Sequence, residues 1–462
     1  MRKAEGESAE EDSPWKPGEK IAEYRVKENE YNLAVISDLH LSEGRSEETK
    51  RYSRNEDFFF DESFCRFLKY LQRESIRHQK PWKLIINGDM IDFLQVTSLP
   101  EPGEADFEIS ERERRFGLGT EAVKTVWKLK RIMNGHWRFF QGLANFLNRN
   151  NKVVIIPGNH DIEFVYEEVQ KGFRNELPRY LTEASEVENL SANLEFMPWF
   201  YREDGLVYIE HGHQYDPLNS FDFFLCPFRV TGNRTEIDLP SGSFFVRYFF
   251  NRIEKIDPFA DNLKPVTRYI FWALTHRFAS SLFRGIVWNY GKFLLEALRK
   301  RNPLSEQGKV ALAQRQNGLL RLEAQKFGLP EDKLNSIKSF WVPSSISNDS
   351  LPKVLCRFFS CEQRNRYIEM AAKIREILGV KFVLFGHTHE PDLRGLPNDK
   401  ERMGEYVNSG TWTKLFNEGE RLLRGEKEFA YAQVLREPEP KIELLKWKDE
   451  LGESERVNLF EF

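Results

Sequence analysis

The chain has 462 residues, 40% of them hydrophobic and 14% aromatic, with a formal net charge of −4; this suits one large globular domain carrying an insertion, or two domains. Charge so close to balance argues against a whole-protein attraction to nucleic acid. The four cysteines, at positions 65, 226, 356 and 361, lack CxxC spacing and read as reduced thiols of a cytosolic protein, and no apolar run of membrane-spanning length and no internal repeat is present.

Residues 1–30 are expected to form a charged, disordered tail. Met1 to Lys20 is rich in Glu, Lys, Ser and Pro without the apolar segment of a signal peptide, which predicts a cytoplasmic chain. From there, five short apolar runs of strand character each end in a polar motif. Asn32 to Ser37 leads into Asp38-Leu39-His40, and Lys83 to Asn87 into Gly88-Asp89-Met90-Ile91-Asp92. Lys152 to Ile156 is followed by Gly158-Asn159-His160-Asp161, Leu206 to Glu210 by His211-Gly212-His213, and Lys381 to Phe385 by Gly386-His387-Thr388-His389. Runs this rich in Val, Ile, Leu and Phe suit strands buried on both faces. Ligands in layered α/β folds bind beyond the carboxyl ends of such strands, so the five loops should meet on one rim.

Between the first two motifs, Arg54 to Gln79 carries Phe64, Phe67, Leu68 and Leu71 at helical spacing, as a crossover helix would. Thr120 to Asn148 predicts two helices broken near Asn134-Gly135, and Gln307 to Gly328 and Cys361 to Leu378 have helical patterning. Phe429 to Leu435 and Lys441 to Trp447 flank a Pro-containing turn and predict a terminal hairpin.

The motif residues are oxygen and imidazole donors with no thiolate among them, which suits Mn²⁺, Fe or Zn²⁺. Two such ions about 3.5–4 Å apart can clamp the attacking and leaving oxygens of an in-line displacement. Phosphate ester hydrolysis gains most from this, because its transition state spreads negative charge over oxygens. Six of the nine histidines lie in the motifs, while His78, His136 and His276 read as hydrogen-bonded structural residues.

The ordered set resembles the signature of the calcineurin-like metallophosphoesterases: D-x-H, GD-x-x-D, GNH-D/E, H and GH-x-H. The resemblance implies an α/β fold of four layers, α-β-β-α, built from two facing mixed sheets. It implies that Asp38, His40 and His389 hold one divalent ion, that Asn159, His211 and His387 hold a second, and that Asp89 bridges them. His160 would stabilise or protonate the leaving oxygen, with a metal-bound hydroxide as nucleophile. Asp161 is grouped with His160 at the catalytic loop, Asp161 and Asp92 are candidate carboxylate partners for the imidazoles, and His213 a further supporting residue. Tyr406 to Trp412 resembles the strand and turn that follow the last motif in this family.

The phosphoesterase domain is thus expected at 31–214 and 381–462, interrupted by a mainly helical insertion at 215–380 that is too long for a loop. Within 221–300 there are 13 Phe, 3 Tyr and 2 Trp, and 12 Lys or Arg against 7 Asp or Glu. One reading is a helical subdomain with its own aromatic core and a solvated basic face. The other is a cap over the metal site, with Phe245, Arg247, Phe249, Arg252, Trp272 and Trp288 meeting a phosphorylated or lipid-linked substrate and making peripheral membrane contact. The opening Ser37 to Leu41 and the helical insert are similar to hydrolases of UDP-2,3-diacylglucosamine, although those read GNRD and HGD where this chain has Gly158 to Asp161 and His211 to His213. The other readings of the motif set are a nuclease, against which the net charge weighs, and a non-catalytic scaffold, against which the complete ligand set weighs.

Overall fold

The computed structural model describes residues 31–182, 187–231, 234–251, 305–342, 363–396, 404–413 and 428–457. Among the described residues fourteen strands run in chain order: β1 (Asn32–Ile36), β2 (Trp82–Asn87), β3 (Lys152–Ile156), β4 (Leu194–Phe196), β5 (Phe200–Glu203), β6 (Val207–Glu210), β7 (Phe228–Thr231), β8 (Arg234–Ile237), β9 (Phe382–Phe385), β10 (Asp392–Leu396), β11 (Gly404–Asn408), β12 (Glu428–Leu435), β13 (Lys441–Lys448) and β14 (Glu453–Arg456). The α-helices are α1 (Asp61–His78), α2 (Glu111–Phe116), α3 (Ala122–Gly135), α4 (Trp137–Leu147), α5 (Glu167–Glu176), α6 (Val187–Asn193), α7 (Ser241–Phe245), α8 (Glu306–Lys326), α9 (Glu331–Lys338) and α10 (Gln363–Leu378).

A seven-stranded sheet has the order β14-β13-β12-β1-β2-β3-β4, and a five-stranded sheet the order β10-β11-β9-β6-β5. Both are mixed. β1 to β4 run parallel and β12 joins β1 antiparallel, while in the second sheet β6, β9 and β11 run parallel with antiparallel edges.

Side-chain alternation explains how the sheets stack. Leu33 and Val35 of β1, Ile85 of β2 and Val154 of β3 cluster with Val207, Ile209, Phe382, Leu384 and Val407 of the other sheet. The intervening residues Ala34, Ile36, Leu84, Ile86 and Ile155 point the other way, into a cluster with Phe64, Phe67, Leu143 and Phe146 of α1 and α4. Strands buried on both faces in this way need the continuous apolar runs seen in the sequence. Each such side chain withdrawn from water contributes about 1.5–3 kcal/mol, so a charge at Val35 would break the inter-sheet layer. The result is the α-β-β-α sandwich.

α1 presents Phe64, Phe67, Leu68 and Leu71 to the sheet and stops at Gln79, which adopts φ 52 and donates its backbone N–H back to Ile76. α3 and α4 meet at His136, next to the expected break at Gly135. The Phe429 to Trp447 hairpin forms as β12 and β13.

Two features of 215–380 go beyond a helical reading. β7 and β8 form an antiparallel hairpin, and α10 packs on β9, β10 and β11 as the outer layer of the second sheet. The hairpin is short and charged, so its alternation is weak; and a helix's period does not say which sheet it covers. No described helix is long and apolar enough to cross a membrane.

Candidate metal centre

Parallel pairing aligns the ends of β1, β2 and β3, since Ile36 sits opposite Ile86 and Ile86 opposite Ile155. The loops leaving these strands therefore emerge side by side. β6 and β9 deliver the other two motifs, with Ile209 opposite Leu384. Hydrogen bonds tie the loops together: the N–H of Leu39 donates to Asp89 O at 2.9 Å, and that of Gly386 to His211 O at 3.0 Å.

Three groups of side chains place ligand atoms within 4.8 Å of one another: Asp38, His40 and His389; His40, Asp89 and His160; Asp89, His211 and His387. His40 and Asp89 each belong to two of the groups, and Asp89 is the carboxylate shared between them. His211 Nε2 is 3.1 Å from Asp89 Oδ2, and His389 Nε2 is 3.2 Å from Asp38 Oδ1. The Nε2 atoms of His40 and His389 face each other at 3.2 Å. That separation matches neighbouring ligands of one ion, since bonds of about 2.0–2.1 Å put adjacent nitrogens roughly 3 Å apart.

The backbone is strained where these residues sit. Asp38, His40, Asp89, His387 and His389 all have positive φ, between 52° and 67°. Non-glycine residues in this region cost of order 1–3 kcal/mol each and persist where surrounding structure enforces them, commonly at functional sites. Tight glycines complete the cradle. A Cβ on Gly88, itself at φ 84, would lie 2.2 Å from His211 Nδ1, and one on Gly158 would lie 2.1 Å from Asp89 Oδ1.

Supporting contacts orient the donors. His211 Nδ1 donates to Asn87 O at 2.8 Å, which leaves Nε2 toward Asp89. Asn159 is buried, and its Oδ1 has no hydrogen-bond partner among the described residues. Its donor chemistry and the orphaned oxygen fit a cation, as does the acidic and imidazole make-up of the whole cluster. Ser37 Oγ contacts Ser409 Oγ at 2.8 Å, and Thr411 Oγ1 donates to Asp38 O at 2.6 Å, so the turn after β11 braces the first motif.

Asp92 and Asp161 do different things. Asp92 Oδ2 lies 2.5 Å from His160 Nδ1 and 3.6 Å from His40 Nδ1, while its Oδ1 accepts the N–H groups of Leu94 and Gln95. Asp161 instead accepts backbone N–H groups from Gly158 at 2.6 Å, Met90 at 2.8 Å, Asp89 at 3.2 Å and Ile91 at 3.4 Å. It ties the second and third motifs together and, among the described residues, touches no imidazole by hydrogen bond. His213 is buried against Phe221 and Phe224, and neither ring nitrogen has a hydrogen-bond partner among the described residues. Burial, with His211 and His387 nearby, holds its pKa well below the ordinary value, so it is neutral.

Burial lowers the His160 pKa, but the charges of Asp92 and Asp89 outweigh it and raise the imidazole to about 10. The Asp89 carboxyl is held well below the usual range: burial opposes this, and His211 and His160 overcome it. These shifts describe a cluster in which carboxylates and imidazoles compensate one another, the role a bound cation would take.

The family model for calcineurin-like phosphoesterases matches residues 31–305. The chain belongs to the calcineurin-like phosphoesterase family. Members of this family are phosphoester hydrolases, so the protein is a metallophosphoesterase. The matched span includes the first four motifs; Gly386 to His389 lies beyond it, and the fold returns that motif to the same rim through β9. No curated protein matches the chain.

In this phosphoesterase Phe245 and Arg247 are buried in the α7 region, where Arg247 Nη2 donates to Gly117 O at 3.0 Å and Leu118 O at 2.9 Å. The Phe249 side chain, Arg252, Trp272 and Trp288 lie outside the described residues. Asp216 and Asn219 were absent from the sequence-based candidates. Asp216 Oδ2 is 3.1 Å from His387 Nε2, and Asn219 meets Asn159. Their only sequence signal is position, a few residues after His211-Gly212-His213.

Proposed function

We propose that this phosphoesterase hydrolyses phosphate esters or anhydrides with two divalent ions, Mn²⁺, Fe or Zn²⁺. Asp38, His40 and His389 would hold one, Asn159, His211 and His387 the other, and Asp89 both. The observation that carries this reading is that Asp89 clusters with His40 of the first set and, separately, with His211 and His387 of the second. When bound, such an ion pair acidifies water for attack and offsets charge on the phosphoryl oxygens.

The remaining steps belong to side chains. His160 stands beside the cluster with 17% of its side chain exposed, so a substrate can reach it. With Nδ1 engaged by Asp92, the other ring nitrogen is the one left to give a proton to the departing oxygen. Asp161 keeps the Asp89 and Asn159 loops in register through the four amides described above.

The test is hydrolysis of bis(p-nitrophenyl) phosphate by metal-stripped protein before and after Mn²⁺ is added, with Asp89→Asn alongside. Activity restored by the ion and absent in the variant is expected. A variant that keeps both its ions and its rate would reject the bridging role.

A second reading concerns the substrate. A pocket of about 540 Å³ is lined by Pro157, Ile162, Phe164, Phe196, Phe228 and Leu319, among others, and Pro157 adjoins Gly158 of the third motif. Such a pocket supports a substrate with an apolar group, including a lipid-linked phosphate or diphosphate met at a membrane surface. Filling it with Leu319→Trp should lower kcat/KM for a long-chain phosphodiester while leaving the chromogenic ester unchanged; equal effects on both would reject it.

A further inference from the structure

The turn after the fourth motif carries a polar chain whose direction is dictated at one end. Asp216 is buried, and its carboxylate is acceptor-only when ionised. Its Oδ1 accepts the Leu218 N–H at 3.0 Å, and its Oδ2 takes both Asn219 Nδ2 at 2.8 Å and His387 Nε2 at 3.1 Å. Since Asp216 demands donors, the Asn219 amide must turn its NH₂ toward it. Asn219 Oδ1 is then left to accept from Asn159 Nδ2, at 3.4 Å. Asn159 must in turn direct its carbonyl oxygen away, and that is the buried Oδ1 with no hydrogen-bond partner among the described residues. By the same logic His387 carries its proton on Nε2, so the lone pair lies on Nδ1.

We infer that Asp216 is the positioning residue that makes both Asn159 and His387 competent ligands of the second ion, acting on Asn159 through Asn219. The inference rests on the two-ion reading above. An amide can ligate a cation only through oxygen and an imidazole only through its unprotonated nitrogen. Reversing the polarity at Asp216 would present an NH₂ group and the wrong tautomer to the same ion, whereas the first ion's ligand Asp38 meets this chain at the His387 backbone N–H, 3.0 Å from its Oδ2, a bond whose direction Asp216 does not set.

Helix α7 touches this device directly. Gly242 of α7 donates its N–H to Leu218 O at 2.8 Å, and a Cβ there would lie 2.2 Å from Asn219 Oδ1. The absence of a side chain at 242 therefore lets Asn219 keep its place. A methyl group would displace the amide without altering any ligand or Asp216 itself.

The experiment is calorimetric titration of the metal-stripped full chain with Mn²⁺, with bound metal counted by elemental analysis and folding checked by circular dichroism. Wild type is expected to take two ions. Asp216→Asn should weaken one of them by about 10–100-fold, the usual cost of losing a ligand's partner, and leave the other within about twofold. Gly242→Ala should weaken the same ion, and it decides the matter if Asp216→Asn does not fold. Undiminished binding of both ions in a folded variant, or equal weakening of both, would overturn the inference. A wild type that takes fewer than two ions would instead overturn the two-ion reading, and this inference with it.

Discussion

His160 Nδ1 and Asp92 Oδ2 are 2.5 Å apart, and Asp92 is in turn held by the backbone N–H groups of Leu94 and Gln95. The carboxylate therefore has a set direction, and it sets the imidazole. If His160 delivers a proton to the leaving oxygen, His160→Gln should cost about 10²–10⁴-fold in kcat, the range for a positioned acid, with metal content unchanged. The check is turnover of a chromogenic diester beside elemental analysis of the same sample. Loss of metal in step with activity would make His160 a ligand or a structural residue.

Asp92→Asn should show a different signature. It keeps the shape at position 92 but removes the charge that, with Asp89, raises His160 against the effect of burial. The fall in rate at high pH, where the acid loses its proton, should begin at lower pH than in wild type. A pH–rate profile for each protein measures this, and superimposable profiles would show that Asp92 does not tune the imidazole.

Gly158→Ala tests the cradle rather than the ligands. The added Cβ would stand 2.1 Å from Asp89 Oδ1 and 2.7 Å from Asp89 N, so backbone as well as side chain must move. Overpacking of this kind costs about 1–3 kcal/mol, and here the strain falls on the residue proposed to bridge the ions. Thermal unfolding should show a lowered Tm, and metal analysis a loss of bound ion. A variant with wild-type metal affinity would mean that the Asp89 loop has slack.

What was legible in the sequence follows from what local pattern can encode. β1, β2, β3, β6 and β9 were readable because each is apolar on both faces, and the motif residues because they directly follow those strands. Asp92 and Asp161 looked alike, as carboxylates near an imidazole. Only the fold separates them, turning one to His160 and the other to four backbone amides. Asp216 and Asn219 were missed because an isolated Asp and Asn in a turn have no spacing to mark them; their meaning comes from His387 and Asn159, which are distant in sequence. α10 was legible as a helix but not as a layer of the second sheet, since its period carries no address.

His136, read as a hydrogen-bonded structural residue, proves to be fully buried between two carboxylates, with Nδ1 3.0 Å from Asp61 and Nε2 3.1 Å from Glu56. Glu56 also accepts the N–H groups of Ser42 and Gly44, so this cluster anchors the loop that leaves His40. Burial lowers the His136 pKa, but Asp61 and Glu56 outweigh it and raise it from 6.5 to about 10. A group whose pKa is higher in the folded state binds a proton on folding. Its stabilisation is therefore complete below about pH 6.5 and is lost as pH rises through about 10. Removing the imidazole leaves two carboxylates buried without their partner, at a cost of about 3–5 kcal/mol. Urea midpoints for wild type and His136→Ala should accordingly differ widely at pH 6 and converge toward pH 10, the comparison cancelling other groups that titrate in alkali. A difference that stays constant across that range would mean that the imidazole acts there as a neutral spacer packed on Phe58, and that the charge contributes nothing.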